Sequence, residues 1–165
     1  MIVKDEAHII ERCLNSVKRL IDKVVIVDTG SSDNTIKVIN DWMERESVGG
    51  TVIKEEWKNF AHNRSSALEH ARQIDCDYSL MIDADEILKY NQNFDATTFK
   101  CSLHKDYYLI PTKTNDAFYY RPTLTSNAKP FLYKAPVHEY LEVPGACSSQ
   151  DINHETEFWN VPLQD

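Results

Sequence analysis

A chain of 165 residues is about one ordinary domain and is long enough to bury a real core. Hydrophobic residues are 42% and charged residues 27%, the balance of a soluble globular protein. The formal net charge of -8 and the pI of about 5.2 argue against a nucleic-acid platform or an anionic-membrane face, since either needs a basic surface, but leave room for a local basic pocket that takes a small phosphate ligand.

Met1 to Val3 read as the stub of a strand. Ile9, Ile10, Cys13, Leu14, Val17, Leu20 and Ile21 then recur at helical spacing, with Glu11, Arg12 and Lys18 on the other face. "KVVIVD" is a short continuous apolar run, as expected of a parallel strand covered on both faces. "TGSSDN" is a turn-and-cap cluster, with Asp33 the expected N-cap of a second helix that carries Ile36, Ile39, Trp42 and Met43 on one side. "GGTVIKE" predicts a turn and a third strand, "NFAHNRSSALEHARQ" a loop entering a third helix, and "YSLMID" a fourth strand. This alternation predicts an α/β fold with a mostly parallel sheet and helices on both faces. Ligands in such sheets bind outside the carboxyl ends of the strands. Asp28 ends the second strand and Asp83 the fourth, and the two strands are expected side by side around one crevice.

The second half differs. "DYYLIPT", "AFYYRPT" and "FLYKA" are short, aromatic and β-prone, and predict antiparallel strands flanking the sheet. Most of their aromatic residues are expected to pack a second layer, with one or two left at the mouth of the cleft. After Val143 periodicity is lost, and residues 148–165 are expected to be a mobile tail or lid. Cys13, Cys76, Cys101 and Cys147 form no C-x-x-C pair, which points away from a structural zinc site or a dithiol redox motif and toward a reducing, cytoplasmic setting. In that setting the sequon at Asn63 is a chance match. The opening "MIVKDEAHII" lacks the apolar core of a signal peptide, and no apolar run approaches the roughly 20 residues of a membrane span.

Chemistry concentrates in "DADE". Three carboxylates at Asp83, Asp85 and Glu86 repel one another unless something positive sits among them. On an extended segment residues i and i+2 point the same way, so Asp83 and Asp85 suit a hard cation, Mg2+ or Mn2+, shared with phosphate oxygens, while the small Ala84 admits a ligand. An isolated D-x-D is more often a solvated turn. The surroundings shift the balance: Asp28 precedes Gly30, which permits an unusual backbone angle, and a helix N-terminus with free N–H groups, and Asp28 can accept a hydrogen bond from a ribose or a base.

"MIVKDEAHIIERCLNSV", "VVIVDTGSSDNT", "WKNFAHNRSSALEHA" and "LMIDADE" stand in the order and spacing of family 2-type glycosyltransferases, which the first 90 or so residues resemble, with a weaker echo in "APVHEYL". The D-T-G-S, W-x-x-F-x-x-x-R and D-A-D-E patterns in register are far more specific than any one alone. A glycosyltransferase encoded by large DNA viruses of algae is a second, looser resemblance, which would place the chain in a host cytoplasm. The family resemblance implies a GT-A fold over residues 1–147 as a single catalytic domain, and a metal-dependent transferase of the hexosyltransferase class. It implies a nucleotide-sugar donor, UDP- or dTDP-linked, and a hydroxyl of a glycan or glycoprotein as acceptor. By similarity Val3, Lys4, Glu6, Asp28 and Gly30 line the nucleotide pocket, Arg64 reaches the base or the diphosphate, Asp83 and Ala84 meet the sugar-ribose side, and Asp85, with Asp83, holds Mn2+ or Mg2+. His154 is the expected late histidine of the metal site. An inverting transferase needs a carboxylate to deprotonate its acceptor, and Glu139 is the candidate, with His138 orienting phosphate or acceptor. Family members usually run longer, so the chain is read as a minimal enzyme or one domain of a larger protein. Two other readings remain open: a nucleotidyltransferase, against which the absence of glycine in "VKDEAHI" counts, and a non-catalytic nucleotide- or Mg2+-binding module.

Overall fold

In the computed structural model, which describes residues 1–115, 117–136 and 138–163, the apolar run of "KVVIVD" becomes the middle strand of a parallel sheet because both of its faces are covered. Strand β1 (Ile2–Val3), helix α1 (Ile10–Val17), strand β2 (Lys23–Asp28), helix α2 (Thr35–Glu46), strand β3 (Gly49–Lys54) and helix α3 (Phe60–Arg72) follow in the expected alternation. The three strands lie in the order β1-β2-β3. Val24 and Ile26 of β2 pack with Leu14 and Val17 of α1 and with Ile39 and Trp42 of α2. Val27 turns to the other face and meets Ala67 and Leu68 of α3. Trp42 is fully buried and its indole N–H donates to Asn15 Oδ1 at 2.8 Å, so the largest side chain of that layer keeps its polar atom satisfied.

The remaining elements are β4 (Tyr78–Leu80), β5 (Glu86–Tyr90), α4 (Ala96–Ser102), β6 (Tyr107–Lys113), β7 (Phe118–Ser126), β8 (Leu132–Lys134), β9 (Tyr140–Glu142), β10 (Ser149–Asp151) and β11 (Phe158–Pro162). A second sheet runs β4-β7-β6-β11-β5, with β10 added along β6, and β8 and β9 pair separately. The aromatic strands β6 and β7 form the expected antiparallel pair, but β6 lies inside this sheet. Tyr90, Phe94, Phe99 and Phe158 stack edge-on and tilted, with ring centroids 5.0–5.8 Å apart, and close its core.

Two expectations need correction. Strands β2 and β4 are not side by side: β1 holds one edge of β2, and β4 pairs with β7. Alternation predicts a parallel neighbour for β4, whereas β7 satisfies its backbone by antiparallel pairing from later in the chain. Residues 148–165 are no loose appendage over their described part. They contribute β10 and β11, and Ile152 and Phe158 are fully buried. Their pattern is illegible in the sequence because the buried positions of β11 are Phe158 and the polar Asn160, which bonds to Glu86, so no apolar alternation shows. All four cysteines are free, and among the described residues no helix is long and apolar enough to cross a membrane.

Strand β3 approaches β2 through Gly50, where an added Cβ would lie 2.2 Å from the Val24 carbonyl oxygen. Backbone cannot yield as a flexible side chain does. Gly50→Ala is therefore expected to cost about 1–3 kcal/mol in urea unfolding, with unchanged stability showing that β3 can shift outward freely.

Candidate active site

The ends of β1 and β2, the start of α3 and the turn after β4 converge on a cleft of about 430 Å3. The chain after β1 contributes Val3, Lys4 and Glu6, the entry to α3 contributes Trp57, Phe60 and Arg64, and the turn after β4 contributes Asp83, Ala84 and Asp85. Seven residues expected at a nucleotide-sugar site on sequence grounds thus share one cavity.

The floor is built by loops that satisfy one another. Asp5 has a positive φ of 56°, and its Oδ1 accepts from the backbone N–H groups of Ser32 and Asp33 at 2.6 and 3.2 Å. Ser31 Oγ accepts from Asp5 N, Asp33 Oδ2 from Ala7 N, and Thr35 Oγ1 from Glu6 N at 2.7 Å. The loop after β1 is thereby stapled to the loop after β2, which fixes where Lys4 and Glu6 stand. The backbone N–H of Ser32, with those of its neighbours, holds the Asp5 carboxyl below its ordinary value. Burial raises Glu6, with the negative charges of Asp85, Asp33 and Asp83 adding to the effect.

Asp28 departs from its expected place. It is buried, it is not among the residues lining the cleft, and its Oδ1 accepts from Gly30 N and Ser31 N at 3.1 and 3.0 Å. It shapes the turn that Gly30, at φ 108°, makes possible. Its Oδ2 is buried without a partner. Thr29, the next residue, lines the cleft instead. The N-cap of α2 is Asn34 rather than Asp33, whose Oδ1 accepts from Thr35 N at 2.9 Å.

Helix α3 begins at a cap that the sequence encodes. Asn59 Oδ1 accepts from His62 N at 2.8 Å. Asn63, fully buried, accepts from Lys58 N and donates to Glu56 O, each at 3.0 Å, and so pins the loop that carries Trp57. Its burial also removes the sequon from the surface. Trp57 and Phe60 meet edge to face at 4.8 Å and remain half exposed at the cleft mouth. Arg64 then points inward. Its Nη2 donates to Asp83 Oδ2 at 2.9 Å, its Nε lies 3.2 Å from Glu139 Oε1 as an ion pair not aligned for a hydrogen bond, and its guanidinium sits 5.9 and 5.8 Å from the Phe60 and Tyr133 rings. Burial pushes the Tyr133 hydroxyl up to about 12, so the ring beside Arg64 stays neutral.

The acid cluster is resolved differently at each carboxylate. Asp83 pairs with Arg64. Glu86 is buried, accepts from Asp83 N at 3.0 Å and from Asn160 Nδ2 at 2.8 Å, and pairs with Arg121. Burial pushes its carboxyl up, against the pull of Arg121. Asp85 is exposed and makes no ion pair among the described residues, while its backbone carbonyl accepts from Arg12 and from Leu163 N. The segment is a turn closed by Glu86 N donating to Asp83 O at 3.1 Å, not an extended strand, so the i, i+2 argument does not describe how the two aspartates reach the cleft. Cys13 Sγ lies 3.3 Å from Asp83 O, and burial raises its thiol to about 12, which makes it a packed neutral group.

Glu139 is brought to the site through Arg64, and His138 beside it is exposed at φ 55°. His154 is not: it packs on Phe118 at 4.7 Å, and no group of three His, Cys, Asp or Glu side chains suited to a metal is assembled among the described residues. What remains is a pair of hard carboxylates, one of them open to solvent, which fits a divalent cation only if a ligand's oxygens complete the shell. Sequence reasoning names Glu86 of β5 only as part of the acid cluster, without a role, and misses Arg121, Asn160 and Tyr133, which arrive from β7, β11 and β8.

Comparison with known proteins bears on this geometry. Residues 1–94 match the family described as Glycosyl transferase family 2, a span that holds every residue lining the cleft. An uncharacterized glycosyltransferase of Rickettsia bellii is 34% identical over 109 residues, covering 66% of this chain and 34% of that protein. The glycosyltransferase SunS from the SPbeta prophage of Bacillus subtilis is 33% identical over 89 residues, 53% of this chain and 19% of SunS. The chain thus spans about a third or less of these two relatives. Among solved structures, S. aureus TarS 1-349 in complex with UDP superposes with a TM-score of 0.69 at 14% identity, over 97% of this chain and 58% of that one. The complex of the same protein with UDP-GlcNAc gives 0.67 over 99% and 58%. The fold is therefore GT-A, as the sequence resemblance implied.

Asn63→Ala would strand the Lys58 N–H and the Glu56 carbonyl. An expected loss of about 1–3 kcal/mol, read by urea unfolding, checks that this staple holds the α3 entry; a change under about 0.5 kcal/mol would refute it.

Proposed function

The chain belongs to glycosyl transferase family 2, and from that premise we propose that it moves a sugar from a UDP- or dTDP-linked donor to a hydroxyl of a glycan or glycoprotein acceptor. The observation that carries the proposal is the convergence of Lys4, Arg64, Asp83 and Asp85 on one cleft beneath Trp57 and Phe60. Cations for a diphosphate, carboxylates for a metal and an aromatic mouth for a base or sugar lie within one ligand-sized space.

Val3, Glu6 and Thr29 shape the nucleoside end, and the exposed ammonium of Lys4 meets phosphate oxygens. Asp83 and Asp85 would hold Mn2+ or Mg2+ together with the diphosphate, and the bound ion would offset charge on the departing group. His154 has no part in this set. Arg64 keeps Asp83 and Glu139 in register and is itself the second positive charge beside the diphosphate. Glu139 accepts the proton of the acceptor hydroxyl as that oxygen bonds to the anomeric carbon, and the nucleoside diphosphate leaves with the electrons of the broken carbon–oxygen bond. His138, exposed next to Glu139, faces the acceptor side. Free cysteines suit a reducing compartment, and the cytoplasm is the proposed setting. Because the chain spans only 34% of the R. bellii relative, the acceptor is assigned only as a class.

The test is thermal unfolding with UDP, with and without Mn2+. A ligand at a hundredfold its Kd stabilises by about 2.7 kcal/mol, or roughly 5–10 °C for a chain this size. The shift is expected to need the metal and to vanish in Asp85→Ala. No shift with UDP, dTDP or GDP in the presence of metal would sink the proposal. Binding without nucleotide release from any sugar donor would leave a binding module in place of an enzyme. In Arg64→Ala, donor turnover is expected to fall at least about a hundredfold, the scale of losing one preorganised charge at the leaving group.

A further inference from the structure

Asp83 and Asp85 stand on a turn, and a turn holds its carboxylates in place only if its own backbone is fixed. Asp83 O accepts from Glu86 N at 3.1 Å and from Cys13 Sγ at 3.3 Å. Asp85 O accepts from Arg12 Nη2 at 3.0 Å and from Leu163 N at 2.6 Å. The Asp83 N–H donates to Glu86 Oε2 at 3.0 Å. The other oxygen of the same side chain meets two donors from the second half of the chain. Glu86 Oε1 accepts from Arg121 Nη2 of β7 and from Asn160 Nδ2 of β11, the latter at 2.8 Å.

Glu86 and Asn160 are buried, so the polarity of this cluster is decided without water. Three donors face Glu86, one at Oε2 and two at Oε1. Only a carboxylate answers them all, because a carboxamide of the same shape accepts at one end and donates at the other. One backbone N–H does not by itself require a charge, and burying a carboxylate against an arginine is costly. What the charge adds is stiffness: charge-assisted hydrogen bonds are shorter and roughly twice as strong as neutral ones. None of the three side chains lines the cleft.

We infer that Glu86 is a positioning residue of the donor site, and that Arg121 and Asn160 act through it. By this route β7 and β11 set where Asp83 and, two residues on, Asp85 meet a metal-bound diphosphate. The inference rests on the transferase reading and extends it to side chains outside the cleft. It makes a chemical prediction about polarity rather than size. Glu86→Gln conserves volume, but its oxygen turns to the two donors at Arg121 and Asn160, one of them charged, and leaves an N–H group facing the Asp83 N–H. Adding Asn160→Asp repairs this. The new carboxylate accepts from the new carboxamide, whose oxygen turns back to Asp83 N, and the negative charge stays beside Arg121.

The experiment compares the wild-type chain, Glu86→Gln and the Glu86→Gln/Asn160→Asp double variant by two readouts. One is amide exchange at Asp83 without ligand, and the other is the apparent Kd of Mn2+ from thermal shifts at saturating UDP. In Glu86→Gln the Asp83 amide is expected to exchange at least about tenfold faster and the Mn2+ Kd to rise about tenfold, the scale of one lost hydrogen bond. The double variant is expected to restore both to within about threefold of wild type. Asn160→Ala leaves Glu86 paired with Arg121, and as the milder change it is expected to raise the Mn2+ Kd about threefold, which keeps the test open if Glu86→Gln folds poorly. Unchanged exchange at Asp83, or faster exchange with an unchanged Mn2+ Kd, would overturn the inference. A double variant that stays at the level of Glu86→Gln in either readout would overturn it as well. Failure of the transferase reading looks different: UDP with Mn2+ then gives no shift in the wild-type chain itself.

Discussion

The organising interaction is the charge of Arg64. A guanidinium withdrawn from water must be matched by anions or it destabilises the fold, and here two carboxylates from distant parts of the chain supply the match. Asp83 reaches it from the turn after β4, and Glu139 from the segment between β8 and β9, while Phe60 and Tyr133 present ring faces to it. One cation thus ties the first half of the chain to the second at the cleft. Under the proposed function the same charge would also meet the diphosphate of the donor. Its pairing with Asp83 and Glu139 would then yield in part when the donor binds.

The parts around Arg64 serve to deliver it and its partners in fixed positions. Asn59 and Asn63 set the start of α3 through backbone hydrogen bonds, so that the arginine one turn later points inward. Glu86 holds the turn at Asp83 through its N–H, and is itself held by Arg121 and Asn160 from β7 and β11. Asp5 staples the loop after β1 to the loop after β2. In each case a buried or short polar side chain replaces water as the partner of loop backbone, which is how irregular chain becomes a rigid rim. The repulsion inherent in "DADE" disappears by division: one carboxylate is paired with Arg64, one is buried with Arg121, and one is left to the solvent.

Two clefts also divide the molecule. One lies at the carboxyl ends of the strands and is rimmed by charge and aromatic rings. The other lies between β2 and β4, is roofed and floored by helices, and presents strand edges. Met1 and Val3 stand between them: Val3 lines the first cleft and Met1, whose amino group donates to Val25 O, lines the second.

Local regularities were legible in the sequence. Apolar period marked α1, α2 and α3, a continuous apolar run marked β2, and the motif residues Val3, Lys4, Glu6, Arg64, Asp83, Ala84 and Asp85 line one cleft. Such signals survive because they depend on neighbours one helical turn or two strand positions away. What only the tertiary structure decided was long-range: that β4 pairs with β7 and not with β2, that β11 is an inner strand and not a tail, that His154 sits on Phe118, and that Asp28 is buried in its own turn. The partners of Glu86 lie 35 and 74 residues away in the chain. No periodicity encodes a contact across such a distance. It is set by which strand edge, among several chemically equivalent ones, is closest when the layers pack.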